Sequence, residues 1–296
     1  MIRRPLIVDV RRGSLEDGPG IRTVVFFKGC PLRCIFCHNP ETQQPAPEIA
    51  FAEEHCIRCG ACVRACPRAA IDLDAPARID RARCDRCGLC VPACPGPALR
   101  LIGKYWPVDE LAELLLRDAP FYRHSGGGVT LSGGECTMFP DYLRSLLRVL
   151  KRRGVHVALE TSGHFDWDAF ASMILPWLDL ILFDVKIIDR RQSMRHLGRS
   201  NDRILENLRR LLAQGSVEVR PRIPLIPGLT DSRENLAAIV DHLRRLGAAD
   251  VSLVPYSPLG LPMYTRLGKS APAVPASFTP LEQERRLVAM FRDLIR

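Results

Sequence analysis

Eleven of the twelve cysteines in this chain of 296 residues fall between positions 30 and 94, and only Cys136 lies outside that window. Nothing else in the sequence restricts the fold so sharply. Two runs inside the window repeat one pattern, C-x2-C-x2-C-x3-C-P, as CIRCGACVRACP (56–67) and CDRCGLCVPACP (84–95). Four thiols so close together, ending in proline, suit the corners of a 4Fe–4S cube. Where this run occurs twice, each fourth cysteine ligates the other cluster. The spacing therefore predicts one cluster on Cys56, Cys59, Cys62 and Cys94 and a second on Cys84, Cys87, Cys90 and Cys66. A zinc site would instead show paired C-x2-C motifs with long intervening loops.

A disulfide scaffold is the other use of many cysteines, and the expected compartment argues against it. The N-terminal MIRRPLIVDVRRG is basic, but its apolar stretch is too short for a signal peptide. No apolar run approaches the roughly 18 residues that span a bilayer. The chain is expected in the cytoplasm, where thiols stay reduced, with no membrane attachment. Its formal charge of +9 does not point to nucleic acid, because the basic residues are spread along helix faces rather than gathered in a block. Three bound clusters would also lower the net charge by roughly 5.

From residue 104 onward, short apolar strands alternate with amphipathic helices. VDELAELLL (108–116) is helical, and GVTLSGGE (128–135) is a strand running into a glycine turn. Pro140 opens a helix carrying Leu143, Leu146, Leu147 and Leu150 on one face, with Gly154 as its stop. VHVALETSG, LDLILFDVK (178–186), VEVRPRIPLIPG and DVSLVPY (250–256) follow as strands, with helices near 166–177, 201–214 and 280–295. A further helix is capped by Asp231 or Ser232. With IRTVVFF (21–27) as the first strand, the pattern gives six βα units: an α/β fold with a parallel sheet closed wholly or partly into a barrel. Residues 45–103 break that rhythm and read as an inserted small ferredoxin-like domain, leaving 1–44 and 104–296 as a discontinuous barrel. No side chain in the insert is equipped for acid–base or nucleophilic work. Its clusters are read as an electron relay, with a structural role left open.

The remaining cysteines, Cys30, Cys34 and Cys37 in KGCPLRCIFCHNP, have the spacing C-x3-C-x2-C directly after the first strand. Three thiolates hold a cube by three corners and leave one iron open, which is where metal chemistry occurs. This loop, with SLEDGPGIRTVVFFKGC (Asp17, Gly18, Pro19, Gly20, Arg22), LSGGEC (131–136), FDVK (183–186) and IPLIPG (223–228), resembles the radical S-adenosylmethionine (SAM) enzymes, and within them the activases of glycyl-radical enzymes. The likeness extends over essentially the whole chain.

The resemblance implies that SAM fills the open iron position and is cleaved by one electron to methionine and a 5′-deoxyadenosyl radical. That radical takes a hydrogen atom from a glycine of a partner glycyl-radical enzyme. It also implies a partial (β/α)6 barrel, three 4Fe–4S clusters, a low-potential donor such as flavodoxin or ferredoxin, and a monomer. By the same resemblance, Gly133 and Gly134 let the backbone approach the methionine end, and Glu135 accepts from its ammonium. Phe36 and His38 beside Cys37 lie near the adenine, while Glu160 with Thr161, Asp184, Val185, Lys186 and Arg222 complete the SAM contacts. Asp17 serves the partner's glycine loop. The chain departs from the family pattern at Cys136, where Pro or Ala is usual, and at Ser257, where a histidine often stands. The shorter activase of pyruvate formate-lyase lacks the insert, which argues mildly against that partner. A small-molecule radical SAM enzyme and a ferredoxin-like carrier with an idle barrel are the rival readings.

Overall fold

The structure, a computed structural model, describes residues 4–248 and 250–295. Its sheet begins one strand earlier than the apolar pattern predicts. β1 (Leu6–Ser14) lies antiparallel to β2 (Arg22–Lys28), from Leu6 opposite Lys28 to Ser14 opposite Arg22. β2 is buried along its whole length, as a strand with both faces covered must be.

The chain then leaves the sheet. β3 (Glu48–Phe51) and β4 (Leu99–Ile102) form an antiparallel ribbon whose base rung is Glu48 opposite Ile102. Between them run two short helices, α1 (Ala61–Ala65) and α2 (Cys90–Ala93). The segment's own core is Ile49, Ile71, Ile79 and Leu99 with Cys62 and Cys90. A core that small supplies little burial against the entropy of ordering its loops, so a fold of this kind needs a staple.

Lys28, fully buried at the end of β2, ties the ribbon to the sheet. It donates to Glu48 Oε2 at 2.7 Å, and Lys269 holds Glu48 Oε1 at 3.1 Å. Ile102 and Ala50 pack with Leu267, Val8 and Met263 on the other side of the junction.

β5 (Lys104–Tyr105) returns to pair with β1. Helices α3 (Val108–Leu116) and α4 (Ala119–Ser125) lead to β6 (Gly128–Gly133), then α5 (Pro140–Arg152), β7 (His156–Thr161), α6 (Trp167–Met173) and β8 (Leu180–Asp184). After these come α7 (Arg190–Leu197), α8 (Asp202–Gln214), β9 (Glu218–Pro224), α9 (Arg233–Arg245), β10 (Ser252–Val254), α10 (Leu261–Arg266) and α11 (Leu281–Ile295).

The strands are ordered β10-β9-β8-β7-β6-β2-β1-β5 in one line, with β2 and β6 to β10 mutually parallel. This is the expected six-strand parallel set in sequential order. It is left open, with an antiparallel pair added at one edge.

The α5 stripe of Leu143, Leu146, Leu147 and Leu150 is fully buried against this sheet, and Gly154 ends the turn at φ +67°. Of the two candidate caps for α9, Ser232 acts, its hydroxyl accepting from Asn235 N at 3.2 Å. The sequence pattern did not give α7. Its residues RRQSMRHL are mostly polar and bury only Ser193 and Leu197, and the Asp189 side chain caps it by accepting from Gln192 N at 2.8 Å.

Candidate active site

The loop after β2 is fixed from three sides. Gly29 N donates to Thr42 O at 2.7 Å, and Cys30 N to Gln43 O at 3.1 Å. Arg33 N and Ile35 N take the last carbonyls of α7, Leu197 O at 2.8 Å and His196 O at 2.9 Å. Tyr264, on α10, donates its hydroxyl to Cys37 O at 2.9 Å.

Burial pushes the thiols of Cys30, Cys34 and Cys37 up, that of Cys37 to about 12. The neighbouring thiol groups add to this at Cys30 and Cys37, while the Lys186 ammonium works against it at Cys34. Three thiols so placed stay protonated unless a cationic group takes them as ligands, as a bound metal does.

The glycine turn after β6 lies directly on this loop. Gly134 N donates to Phe27 O at 2.9 Å and Glu135 N to Gly29 O at 2.8 Å. A Cβ on Gly133, whose φ is +102°, would meet Phe27 N at 2.4 Å, and one on Gly134 would meet Gly29 O at 2.1 Å. The chain's own backbone is thus what these side chains would strike, where the sequence reading reserved the space for a ligand.

Glu135, expected at the SAM ammonium, has internal partners of its own. It is fully buried, and Oε1 accepts from Thr137 Oγ1 at 2.7 Å and Thr161 Oγ1 at 2.9 Å. Oε2 accepts from Ser162 N at 3.0 Å and Ser162 Oγ at 2.6 Å. Burial pushes its carboxyl up, and those donors hold against it. The acceptor capacity of the carboxylate is filled internally, so an ammonium would have to displace a hydroxyl.

The ends of β6 to β9 carry one charged network. Arg222 Nη2 donates to Asp184 Oδ1 at 2.9 Å, Arg222 Nη1 binds Glu160 Oε1, and Lys186 Nζ donates to Asp184 Oδ2 at 2.9 Å. Ser132 Oγ donates to Glu160 Oε2. Sheet register explains the assembly, since Asp184 lies opposite Arg222 and Glu160 opposite Leu182 on neighbouring parallel strands.

Burial opposes ionisation of Asp184, but Lys186 and Arg222 outweigh it and hold the carboxyl below its ordinary value. Lys186 is raised, because Asp184 and the Cys34 thiol group together overcome its burial. Glu160 is raised by burial against the pull of Arg222. Val185 is buried, its N–H donating to Arg222 O at 2.8 Å.

Asp17 faces the same network: its carboxylate accepts from Ser14 Oγ, and its carbonyl accepts from Thr130 Oγ1 at 2.7 Å. Its turn wraps the fully buried Arg22, which donates to Thr130 Oγ1 at 2.6 Å, Pro19 O at 3.1 Å and Val129 O at 2.7 Å.

Phe36 packs with Ile187, Leu197, Ile226 and Tyr256. His38 is exposed, and its carbonyl would be struck at 2.0 Å by any Cβ on Gly260. Cys136 is fully buried in the main core, and Ser257 caps the turn before α10. Ser132, Thr137, Ser162 and Tyr264 are site residues that sequence reasoning missed. A hydroxyl carries no spacing signal, and Tyr264 lies 227 residues from its partner.

In the ribbon segment, Cys56, Cys59, Cys62 and Cys94 line one hollow with Phe51, Leu73 and Leu99. Cys66, Cys84, Cys87 and Cys90 line a second with Ile49, Ile71 and Ile79. The fourth cysteine of each run therefore stands with the first three of the other. The runs share a backbone signature, with positive φ at Arg58 and Arg86 and again at Gly60 and Gly88. Left-handed backbone costs a non-glycine residue about 1–2 kcal/mol. Among the described residues, no group of three His, Cys, Asp or Glu is gathered for a single metal ion.

A family model described as the radical SAM superfamily matches residues 24–240. The benzylsuccinate synthase activating enzyme of Thauera aromatica is 43% identical over 274 residues, spanning 90% of this chain and 82% of the relative. The pyruvate formate-lyase 2-activating enzyme of Escherichia coli (strain K12) is 40% identical over 270 residues, 89% of this chain and 81% of the relative. Among solved structures, a radical SAM methyltransferase from Sphaerobacter thermophilus matches with a TM-score of 0.50 at 14% identity, covering 97% of this chain and 74% of that one.

Proposed function

The chain belongs to the radical SAM superfamily and, within it, to the activating enzymes of glycyl-radical enzymes; from that premise we propose how its residues divide the work. Cys30, Cys34 and Cys37 would hold a 4Fe–4S cluster by three corners. Their partly buried thiols, each raised by burial, are a soft donor set suited to a bound metal cluster. When bound, that cluster supplies the electron that splits SAM into methionine and the 5′-deoxyadenosyl radical, which takes hydrogen from the partner's glycine.

Every other role lies with the chain. Arg222 and Lys186 would offer positive charge to the SAM carboxylate, and Asp184 and Glu160 negative charge to its ammonium. An amino-acid end carries the same two charges as the Asp184–Lys186 pair, so it docks by exchanging partners within a network already balanced in charge. Glu135 then acts as the internal clamp that fixes the Thr161–Ser162 turn beside the thiol loop, while Gly133 and Gly134 seat the turn on it. Phe36 and His38 form the adenine side, and Val185 anchors the end of β8 to β9. Asp17, on the turn between β1 and β2, would meet the partner's glycine loop.

Residues 45–103 are read as the ferredoxin-like insert with two auxiliary clusters, giving three in all. The two hollows, each ringed by four cysteines, support this. A low-potential carrier such as flavodoxin or ferredoxin would reduce a monomeric, cytoplasmic enzyme. Among the described residues no helix is long and apolar enough to cross a membrane.

The observation that carries the reading is convergence. The three-thiol loop, the glycine turn and the four-residue ion network occupy one end of the parallel strands, the face where barrel enzymes place chemistry. The test is anaerobic reconstitution with iron and sulfide, reduction, addition of SAM and assay for 5′-deoxyadenosine. Wild type should bind about twelve irons per chain and form the product. Cys34→Ala should bind about eight and form none; product formed by that variant would refute the assignment of the thiol loop.

A further inference from the structure

The two hollows are not equivalent with respect to the barrel. The β3–β4 ribbon starts at the Glu48–Ile102 rung, which Lys28, Lys269 and Leu267 fasten to the sheet. On the next rung, Ile49 pairs with Leu101. Ile49 lines the hollow of Cys66, Cys84, Cys87 and Cys90, and Leu101 Cδ2 lies 3.2 Å from where a Cβ on Gly88 would stand in the same wall. Phe51 and Leu99 pair two rungs further out, and both line the hollow of Cys56, Cys59, Cys62 and Cys94. Two residues along a strand are about 6.6 Å, so the ribbon pair that lines the second hollow stands that much farther from the junction. The junction itself adjoins the thiol loop, because Gly29 and Cys30 bond the carbonyls of Thr42 and Gln43 on the approach to β3.

A separate observation gives the same order. Arg81, just before Cys84, donates to Ile49 O and, at 3.3 Å, to Arg266 O at the end of α10. That helix also carries Tyr264, whose hydroxyl is bonded to Cys37 O. The run beginning at Cys84 is thus linked to the thiol loop through α10, by side-chain donors on backbone carbonyls at both ends. Glu54, near Cys56, reaches Arg266 only through a half-exposed side-chain pair. Each hollow keeps one exposed thiol, Cys59 and Cys87, so exposure does not rank them. Position along the ribbon does.

We propose that the insert is a directional relay. The set Cys56, Cys59, Cys62 and Cys94 receives from the external donor, and the set Cys84, Cys87, Cys90 and Cys66 is the last station before the Cys30 loop. This rests on the reading of the insert as a two-cluster domain. One electron from a low-potential one-electron carrier reduces the outer cluster. Each transfer then oxidises one cluster and reduces the next by one electron, with no proton moved, and the electron is consumed in the reductive cleavage already described.

The test reads distance rather than turnover. In holoenzyme fully reduced with photoreduced deazaflavin, the signal of the Cys30-loop cluster is identified by its change on adding SAM, and its spin relaxation is measured by pulsed electron paramagnetic resonance. Cys87→Ala, lacking the inner cluster, should slow that relaxation several-fold. Cys59→Ala, lacking the outer one, should leave it within about twofold of wild type. Equal effects, or the reverse order, would overturn the relay.

Should either variant lose more than its own cluster, Cys59→Ser and Cys87→Ser keep a ligand atom and shift that cluster's signal. The cluster whose reduction broadens the Cys30-loop signal can then be identified with all three present, and only the inner one upholds the proposal. Wild type holding about four irons would remove the two-cluster reading, and the relay with it.

Discussion

Gly134 shows how a single hydrogen atom holds a site together. A methyl group there would sit 2.1 Å from the carbonyl oxygen of Gly29, a backbone atom with no rotamer to escape through. Gly134→Ala should therefore cost about 1–3 kcal/mol by overpacking, read as a lower urea midpoint in the metal-free protein, and should impair loading of the Cys30-loop cluster. A normal midpoint would mean the turn can shift at no cost.

Asp184 makes a pH argument of known sign. Its carboxyl is held below the ordinary 3.8, so its stabilising contribution is complete above that value and is lost as pH falls through the lower folded value. Glu160 and Glu135 are raised and act in the opposite direction, ionisation costing stability as pH rises through 4.5. Asp184→Asn should therefore be less stable than wild type at pH 7, with a gap that narrows below about pH 4. Urea midpoints measured from pH 3 to 7 would reveal it, and a constant gap would exclude the ion pair as its source. Residues of this kind were legible as types at strand ends. Their mutual pairing was not, because the register that puts Asp184 beside Arg222 is a property of the sheet.

Among the elements, those with strong periodicity were readable and those held by tertiary contacts were not. The α5 leucine stripe announces its helix. The polar α7 has no such stripe, yet its last two carbonyls secure the loop that carries Cys30, Cys34 and Cys37. β1 hid inside a short basic stretch whose Asp9, Arg11 and Arg12 are exposed and break the apolar pattern.

The contact between ribbon and sheet is more consequential. Lys28 is fully buried and its charge is met by Glu48. Burial lowers its ammonium pKa, and Glu48 opposes that. Removing one partner of a buried pair costs about 3–5 kcal/mol. Lys28→Ala should destabilise by that order and speed amide hydrogen exchange in β3 and β4 ahead of β6 to β8. Uniform acceleration would mean that the pair stabilises the whole chain rather than the junction.

At the scale of the whole molecule, the cysteine spacings and the βα rhythm were enough to read a six-strand parallel sheet and a cysteine-bearing excursion from it. The antiparallel edge was the part they left out. The two ends of the excursion face each other across the rung of Glu48 and Ile102. Replacing residues 50–100 by Asn-Gly should close Ile49 and Leu101 with a two-residue hairpin turn. Such a chain should bind about four irons and still cleave SAM under strong chemical reduction, while losing efficiency with a protein donor. Loss of cleavage under chemical reduction would show that the excursion also supports the barrel.

A segment that leaves and returns through adjacent positions can be gained or discarded in one genetic event without rerouting the rest of the chain. With the relay proposed above in that segment, wiring and chemistry would be inherited separately, and a lineage could change its reductant while keeping the radical-forming centre it already has.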